Sequence, residues 1–148
     1  MLKMLRPALA AFAGLACLNA AAQAMPVAEL AAGMYRIEAE VAAIGPDRER
    51  GLMFRRAMAE QHGMLFVFTV ADRHCMWMRN TLLPLSVAFL DERGAILNIE
   101  DMQPQTTSNH CAARPARYAL EMNQGWFARR GLGHGARIAG LESLPAAQ

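Results

Sequence analysis

The chain has 148 residues, with 15 basic residues against 13 acidic residues. Lys3 is the only lysine, and beyond Lys3 and Arg6 the remaining bases are all arginines that equal the acids in number. This balance argues against a basic surface for nucleic acid. The absence of further lysines excludes Schiff-base lysines, Ser-Lys dyads and Walker-type phosphate loops.

Residues 1–24 are predicted to be a cleavable secretory signal. Lys3 and Arg6 precede an apolar stretch from Ala8 to Leu18, and Ala22-Gln23-Ala24 fits a signal-peptidase site. The apolar stretch is shorter than the roughly 20 residues that span a bilayer. We therefore expect a periplasmic or secreted protein with no membrane partner after the signal is removed.

The exported part is predicted to hold one domain. Residues 25–32 are rich in alanine and are expected to form a flexible start. Residues 33–140 are expected to form the domain, since this length suits a single core. Residues 141–148, which include "SLPAAQ", are expected to form a flexible tail.

The first predicted elements are two strands with helical turns between them. Residues 35–41 alternate apolar and charged side chains, which is typical of a half-buried strand. Pro46 suits the first position of a helix, so we predict short helical turns between Pro46 and Gln61. The stretch "GMLFVF", which begins at Gly63, is short and apolar and predicts a buried strand.

The second half of the chain predicts more strands. Residues 86–100, "SVAFLDERGAILNIE", predict a hairpin that turns at residues 91–94. Residues 117–122, "RYALEM", predict another alternating strand, and "NQGWFARRG" predicts a short helix from Asn123 to Gly131. The fold predicted from these elements is mainly β, a jelly-roll-like sandwich or distorted barrel with two or three short helices.

Several sequence blocks together resemble a known family. The blocks are "RERGLMFRR", "GMLFVF", "MWMRNTLLPLSVAFLDERG", "DMQP" and "RYALEM" followed by Gly125, and they extend from about Gly33 to Ile138. This pattern resembles the domain of unknown function 192 family. The resemblance implies a compact, mainly β fold and no established activity. Ser86 and Gly135-Ala136 stand where acids are common in the family, so no role is expected that needs those carboxylates.

The two cysteines beyond the signal are predicted to form a disulfide. Signal removal would take Cys17 away and leave Cys75 and Cys111 in an oxidising compartment. A bridge that closes this loop would stabilise the fold by at most about 4 kcal/mol. A metal-binding protein is the alternative, with His74 and His110 joining both cysteines as ligands. Strand alternation disfavours it because adjacent side chains point to opposite faces, and no cofactor is expected.

Residues 76–79 are predicted to separate core from surface. In a strand, Met76 and Met78 would share one side, where methionine fills gaps in a core. Trp77 and Arg79 would share the other side, and an arginine beside an aromatic ring suits recognition of an anion or a peptide. In the alternative interpretation, Trp77 is a core residue and Arg79 belongs to an ion pair.

Two functions remain open from the sequence. In the first, the chain is a binding or accessory module whose groove takes a small anionic or peptide-like ligand. The predicted ligand-binding residues are Arg50, Trp77, Arg79, Asn80 and Thr81.

In the second, the chain is a small hydrolase or lyase that uses Glu49 or Asp101 as a base with an arginine partner. Whether it is an enzyme stays open, and no catalytic residue is predicted from a motif. An exposed acid or His110 within hydrogen-bond reach of Arg79 would favour chemistry, whereas a shallow groove with only arginine, amide and aromatic groups would favour binding. Ligand identity and oligomeric state are not predicted.

Overall fold

A computed structural model describes residues 24–148 of the chain. The predicted signal at residues 1–24 falls almost entirely outside this range. The described residues form nine strands: β1 (Val27–Ala32), β2 (Tyr35–Ala42), β3 (His62–Asp72), β4 (Cys75–Met76), β5 (Leu85–Leu90), β6 (Ile96–Met102), β7 (His110–Cys111), β8 (Ala116–Asn123) and β9 (Ile138–Ala139). One helix, α1 (Gly45–Arg50), and two 3-10 turns, Ala128–Arg130 and Leu141–Ser143, complete them.

Seven of these strands form a sheet in the order β6-β5-β8-β3-β2-β1-β9, and β4 pairs separately with β7. The sheet curls into a half-barrel, which confirms the predicted mainly β fold with few short helices. The strands β2 and β3 are parallel, whereas the other pairings are antiparallel. A parallel pair needs a crossover connection, and α1 lies in it.

Both faces of the sheet are covered by apolar side chains. The first core contains Trp126 and Phe127, which follow β8, and it packs on one face. The second core contains Leu52, Phe66 and Met78 and packs on the other face. Because side chains alternate along a strand, the central strand β8 supplies residues to both cores.

Residues in the predicted flexible start and in the predicted flexible tail both contact the rest of the fold. Residues 27–32 pair with β2 along their whole length as β1, and Leu30 is buried in the first core. In the tail, Leu141 and Leu144 pack against the same core, and the Gln148 N–H donates to the Ala43 carbonyl at 2.8 Å. Alanine is depleted in strands in general, so an alanine-rich strand reads as a loop.

The helical turns predicted up to Gln61 are shorter in the structure, because α1 ends at Arg50. The predicted hairpin is confirmed, since β5 and β6 pair around residues 91–95. Among residues 24–148, the structure shows no helix with the length and apolar character needed to cross a bilayer.

Candidate functional site

Glu121 is an acid held inside the second core. It lies in the middle of β8, with Met64 of β3 and Val87 of β5 as its neighbours across the sheet, and it is only 4% exposed. Among residues 24–148, none donates a hydrogen bond to its carboxylate or forms an ion pair with it. Burial raises its pKa from 4.5 to about 8, because the apolar surroundings disfavour the charged form.

A small cavity lies over Glu121. Its roof comes from α1 with the turn that follows and from the segment between β4 and β5. We call it the Glu121 cavity; it measures about 30 Å³ and is lined by Arg48, Glu49, Arg50, Gly51, Leu52, Met53, Phe66, Met76, Trp77, Thr81 and Glu121. The polar residues other than Glu121 and Thr81 all belong to α1, so the cavity is apolar in its depth and charged at its mouth.

A wider groove adjoins this cavity and shares Trp77, Met76, Phe66, Arg48 and Glu49 with it. We call it the Trp77 groove; it measures about 300 Å³ and its remaining lining residues are Gly45, Phe68 and Cys75. Its volume is at the lower end of the range for small-molecule sites. Cys75, one of the two predicted disulfide cysteines, thus forms part of the wall of the Trp77 groove.

The segment that carries Trp77 is a loop rather than a strand, because β4 ends at Met76. Met78 is completely buried, and its N–H donates to the Thr106 carbonyl at 3.0 Å. Trp77 is 47% exposed, and the Arg79 guanidinium lies 5.8 Å from the centre of its ring. Met78 is thus separated from Trp77 and Arg79 as predicted, but Met76 lines the same groove as Trp77, so the two methionines do not share one side.

Two residues with left-handed backbone hold this loop against the turn after α1. Phe54 has φ 63° and Asn80 has φ 55°, and the Phe54 N–H donates to the Asn80 carbonyl at 2.9 Å. Left-handed conformations are unfavourable for residues other than glycine and cluster near functional sites. The two segments that roof the Glu121 cavity are thus tied together by a backbone bond between strained residues.

The structure brings together three of the five predicted ligand-binding residues. Arg50, Trp77 and Thr81 line the Glu121 cavity, and Thr81 is buried there with its hydroxyl donating to the Arg79 carbonyl at 3.3 Å. Arg79 reaches the site through its contact with Trp77. Asn80 is exposed at the turn and lines neither the cavity nor the groove.

The two predicted bases differ in position. Glu49 lines the Glu121 cavity and the Trp77 groove. Asp101 lines neither of them, and its carboxylate accepts a hydrogen bond from the buried Ser86 hydroxyl at 2.5 Å. The Ser86 hydroxyl also accepts the Gly125 N–H at 2.8 Å, so Asp101 holds a structural network.

Arg79 has no acid beside it. None of the ion pairs between residues 24 and 148 includes Arg79, and His110 lies 3.9 Å from Glu100 instead. The arrangement that would have favoured chemistry at Arg79 is therefore not the one observed. The Trp77 groove has arginine and aromatic groups, but Glu49 also lines it, so the groove meets neither description in full.

The predicted disulfide is confirmed. Cys75 and Cys111 face each other across β4 and β7, with an S–S distance of 2.02 Å. Both sulfurs are used in this bridge, so the alternative four-ligand site has no thiolates in this form of the protein. His74 instead stacks on Phe68, with ring centres 3.7 Å apart.

Glu121 is not among the residues predicted from the sequence. Alternation along "RYALEM" places it beside Arg117 and Ala119, which makes it look like part of a polar face. The available signal is the pair of almost wholly apolar strands, "GMLFVF" and "LSVAFL", which turn out to flank β8. A strand between two such neighbours is buried on both faces, and an acid in it is buried too.

A larger cleft of about 560 Å³ also touches Arg50, and most of the charged residues that line it are already paired. Arg55 donates two hydrogen bonds to the Glu40 carboxylate at 2.7 and 2.5 Å. His62 lies 3.3 Å from Glu38 in the same cleft. We therefore place the candidate site at the Glu121 cavity and the Trp77 groove.

The chain matches the family model DUF192, described as "Uncharacterized ACR, COG1430", over residues 27–140. The chain belongs to the DUF192 family. The matched range holds every residue that lines the Glu121 cavity and the Trp77 groove. A search of curated proteins gives no significant match.

Two solved structures are similar to this DUF192 protein. One is a candidate transcription regulator from Sinorhizobium meliloti, which is 37% identical with a TM-score of 0.70; the match covers 77% of this chain and 92% of that chain. The other is a protein of unknown function from Novosphingobium aromaticivorans, which is 28% identical with a TM-score of 0.68, over 76% of this chain and 83% of that chain. The match with the first supports the family assignment.

Proposed function

We propose that this DUF192 protein is a binding module that takes a small peptide-like ligand in the Trp77 groove and the Glu121 cavity. The observation that carries the proposal is the continuity of the two spaces. An exposed aromatic groove leads to a buried acid that has no partner among the described residues. Concave apolar sites with a few convergent polar groups are typical of ligand binding.

The charged residues around the site suit the polar parts of a peptide. Arg50 and Arg79 are exposed and form no ion pair within the described part of the chain. An arginine in this state can donate two parallel hydrogen bonds to a carboxylate or approach a carbonyl. Trp77 supplies a rigid aromatic face against which a side chain or a peptide plane can pack.

We propose that the protein acts in the periplasm or outside the cell. The bridge between Cys75 and Cys111 supports this, because disulfides persist mainly in oxidising compartments. The regulator description of the Sinorhizobium protein is not extended to this chain. Beyond Arg6 the arginines equal the acids in number, which gives no support to a nucleic-acid surface.

The test of binding is mass spectrometry of small molecules that co-purify with the protein from a periplasmic extract. We expect a peptide-like compound with the wild-type protein and none with Trp77→Ala. Met34→Ala is the matched control, because Met34 is an exposed apolar residue that lines neither space and should keep the compound. Equal retention by Trp77→Ala and wild type would contradict the proposal.

A second candidate function is acid–base catalysis, and the raised pKa of Glu121 favours it. A carboxyl with a pKa of about 8 can give or take a proton near neutral pH. In that case Glu121, rather than Glu49 or Asp101, would be the acid or base. Recovery of the bound compound unchanged after long incubation with the protein would argue for binding over catalysis.

A further inference from the structure

We infer that the Glu121 cavity receives the free α-ammonium group of a peptide, while the Trp77 groove holds the first side chain of that peptide. This inference rests on the proposed function and names the end of the ligand that enters first. It assigns the terminal amine to Glu121 and the carbonyl groups that follow to the arginines at the mouth.

The first step of the argument is the missing partner of Glu121. A carboxylate has only acceptor oxygens, and leaving it buried without donors costs several kcal/mol. Within residues 24–148 no donor reaches it, and its raised pKa keeps it protonated below about pH 8, so an ionised Glu121 needs donors from a molecule in the cavity. An ammonium group supplies three donors and the opposite charge, whereas a hydroxyl supplies one donor and no charge.

The second step is the size of the two spaces. The Glu121 cavity measures about 30 Å³, so it has room for a head group comparable to one water molecule or one ammonium group. A guanidinium or a carboxylate would need more room and would place several polar atoms against Leu52 and Phe66. The Trp77 groove, at about 300 Å³, can hold the bulkier part that follows.

The third step is the chemistry of the walls. Trp77 and Phe66 line the cavity, and the face of an aromatic ring attracts a cation. Arg48 is occupied elsewhere, since it donates to the carbonyls of Ala43, Val67 and Gln148 at 2.5, 3.0 and 2.7 Å. Its positive charge stays in the lining, where Arg48 and Arg50 are balanced by Glu49 and an ionised Glu121, so the lining as a whole does not repel an ammonium group.

The mouth of the cavity suits the atoms that come after the amine. Glu49 and Arg50 are both exposed there and are not paired with each other. In a peptide, the first carbonyl lies a few bonds from the ammonium group, within reach of an arginine at the mouth. The order amine, side chain and carbonyl thus corresponds to Glu121, the Trp77 groove and Arg50.

The pH dependence of binding follows from the same two groups. The pKa of Glu121 is raised to about 8, and the α-amino group of a peptide has a pKa of roughly 7.7 to 8.0. The complex needs one proton on the amine and none on Glu121, so affinity should be highest near pH 8 and fall on both sides. The charged groups that face the cavity are Arg48, Glu49 and Arg50 of α1, while β3 and β5 place Met64 and Val87 beside Glu121.

The test compares peptides with free and blocked amino termini. Calorimetry of the whole exported protein would use three tripeptides, which begin with phenylalanine, leucine or methionine and end in two glycines, and their N-acetyl derivatives. We expect binding of at least one free tripeptide and a loss of tenfold or more on acetylation. Glu121→Gln should lose a similar factor for the free peptide, whereas Glu92→Gln should bind like wild type, because Glu92 lines neither space.

The outcomes separate this inference from the proposed function. Equal binding of free and acetylated tripeptides would overturn the role of the Glu121 cavity and leave the groove as a peptide site. No binding of any tripeptide to wild type, together with no compound that depends on Trp77, would overturn both. The acetylation arm uses only wild-type protein, so it decides the inference even if Glu121→Gln fails to fold.

Discussion

Two ionisable side chains in the interior of this protein, those of Arg130 and Glu121, have different surroundings. The Arg130 guanidinium lies over the rings of Trp126 and Tyr35, 4.2 and 5.2 Å from their centres, and donates to the Trp126 carbonyl and to Glu60. Glu121 is more deeply buried and receives no hydrogen bond from residues 24–148. Most of the Arg130 guanidinium is satisfied by the fold, and only its Nε lacks a hydrogen-bond partner within residues 24–148, whereas the Glu121 carboxyl lines a cavity.

The largest expected effect is the loss of apolar packing at Met78, on the face of the sheet that carries Glu121. Met78 is completely buried in the second core. Met78→Ala should lower the free energy of unfolding by about 2 to 5 kcal/mol, because it removes buried apolar volume and leaves a cavity. Urea denaturation measures this change. A loss below about 1 kcal/mol would show that the loop over Glu121 is not held by Met78.

The second prediction concerns the titration of Glu121. The folded state keeps a proton on Glu121 up to about pH 8, whereas the unfolded state releases it near pH 4.5. The folded state therefore binds more protons in this window, and stability falls as the pH rises from 4.5 to 8. The loss should be on the order of a few kcal/mol.

Glu121→Gln should remove most of this pH dependence, because glutamine does not titrate. Denaturation midpoints measured from pH 5 to pH 8.5 test this, with Glu92→Gln as the control that keeps the wild-type slope. If the Glu121→Gln protein still loses stability over the same range, another group titrates there and Glu121 does not cause the pH dependence.

The third prediction concerns the Arg130 guanidinium. Arg130→Ala should lower the free energy of unfolding by about 1 to 3 kcal/mol, since it removes two cation–π contacts and two hydrogen bonds. Thermal denaturation at neutral pH measures it. Arg129→Ala is the neighbouring control, because Arg129 is exposed. Unchanged stability of Arg130→Ala would remove the contrast between the two charges.

The smallest effect on stability is expected at Arg79. Its side chain is exposed and lies 5.8 Å from the centre of the Trp77 ring, so Arg79→Ala should change stability by less than about 0.5 kcal/mol. The same variant should weaken retention of the co-purified compound. If Arg79→Ala unfolds the domain as strongly as Met78→Ala, then Arg79 serves the fold and not the ligand.

Much of the fold is predictable because its signals are local. The alternation of residues 35–41 and the turn at residues 91–94 predict β2 and the β5–β6 hairpin. The strand β1 is missed because its alanines carry little strand preference, and its burial depends on pairing with β2. The parallel pairing of β2 with β3 is also set by contacts distant in sequence.

The candidate site is predictable in part for the same reason. Trp77 and Arg50 stand out as an aromatic residue and a cation within family-like motifs, and both line the Glu121 cavity. Glu121 becomes visible only when the strand order is known, because its burial comes from β3 on one side and β5 on the other. The alternation of side chains along β8 does not show the burial that β3 and β5 produce.

The bridge between Cys75 and Cys111 also sets the order in which the site can be completed. It joins two strands of only two residues each, and Cys75 forms part of the wall of the Trp77 groove. Such short strands hold each other weakly, whereas the large sheet has its own cores. A chain with reduced cysteines would therefore carry a formed sheet beside an unfinished groove, and oxidation would complete the wall of the groove.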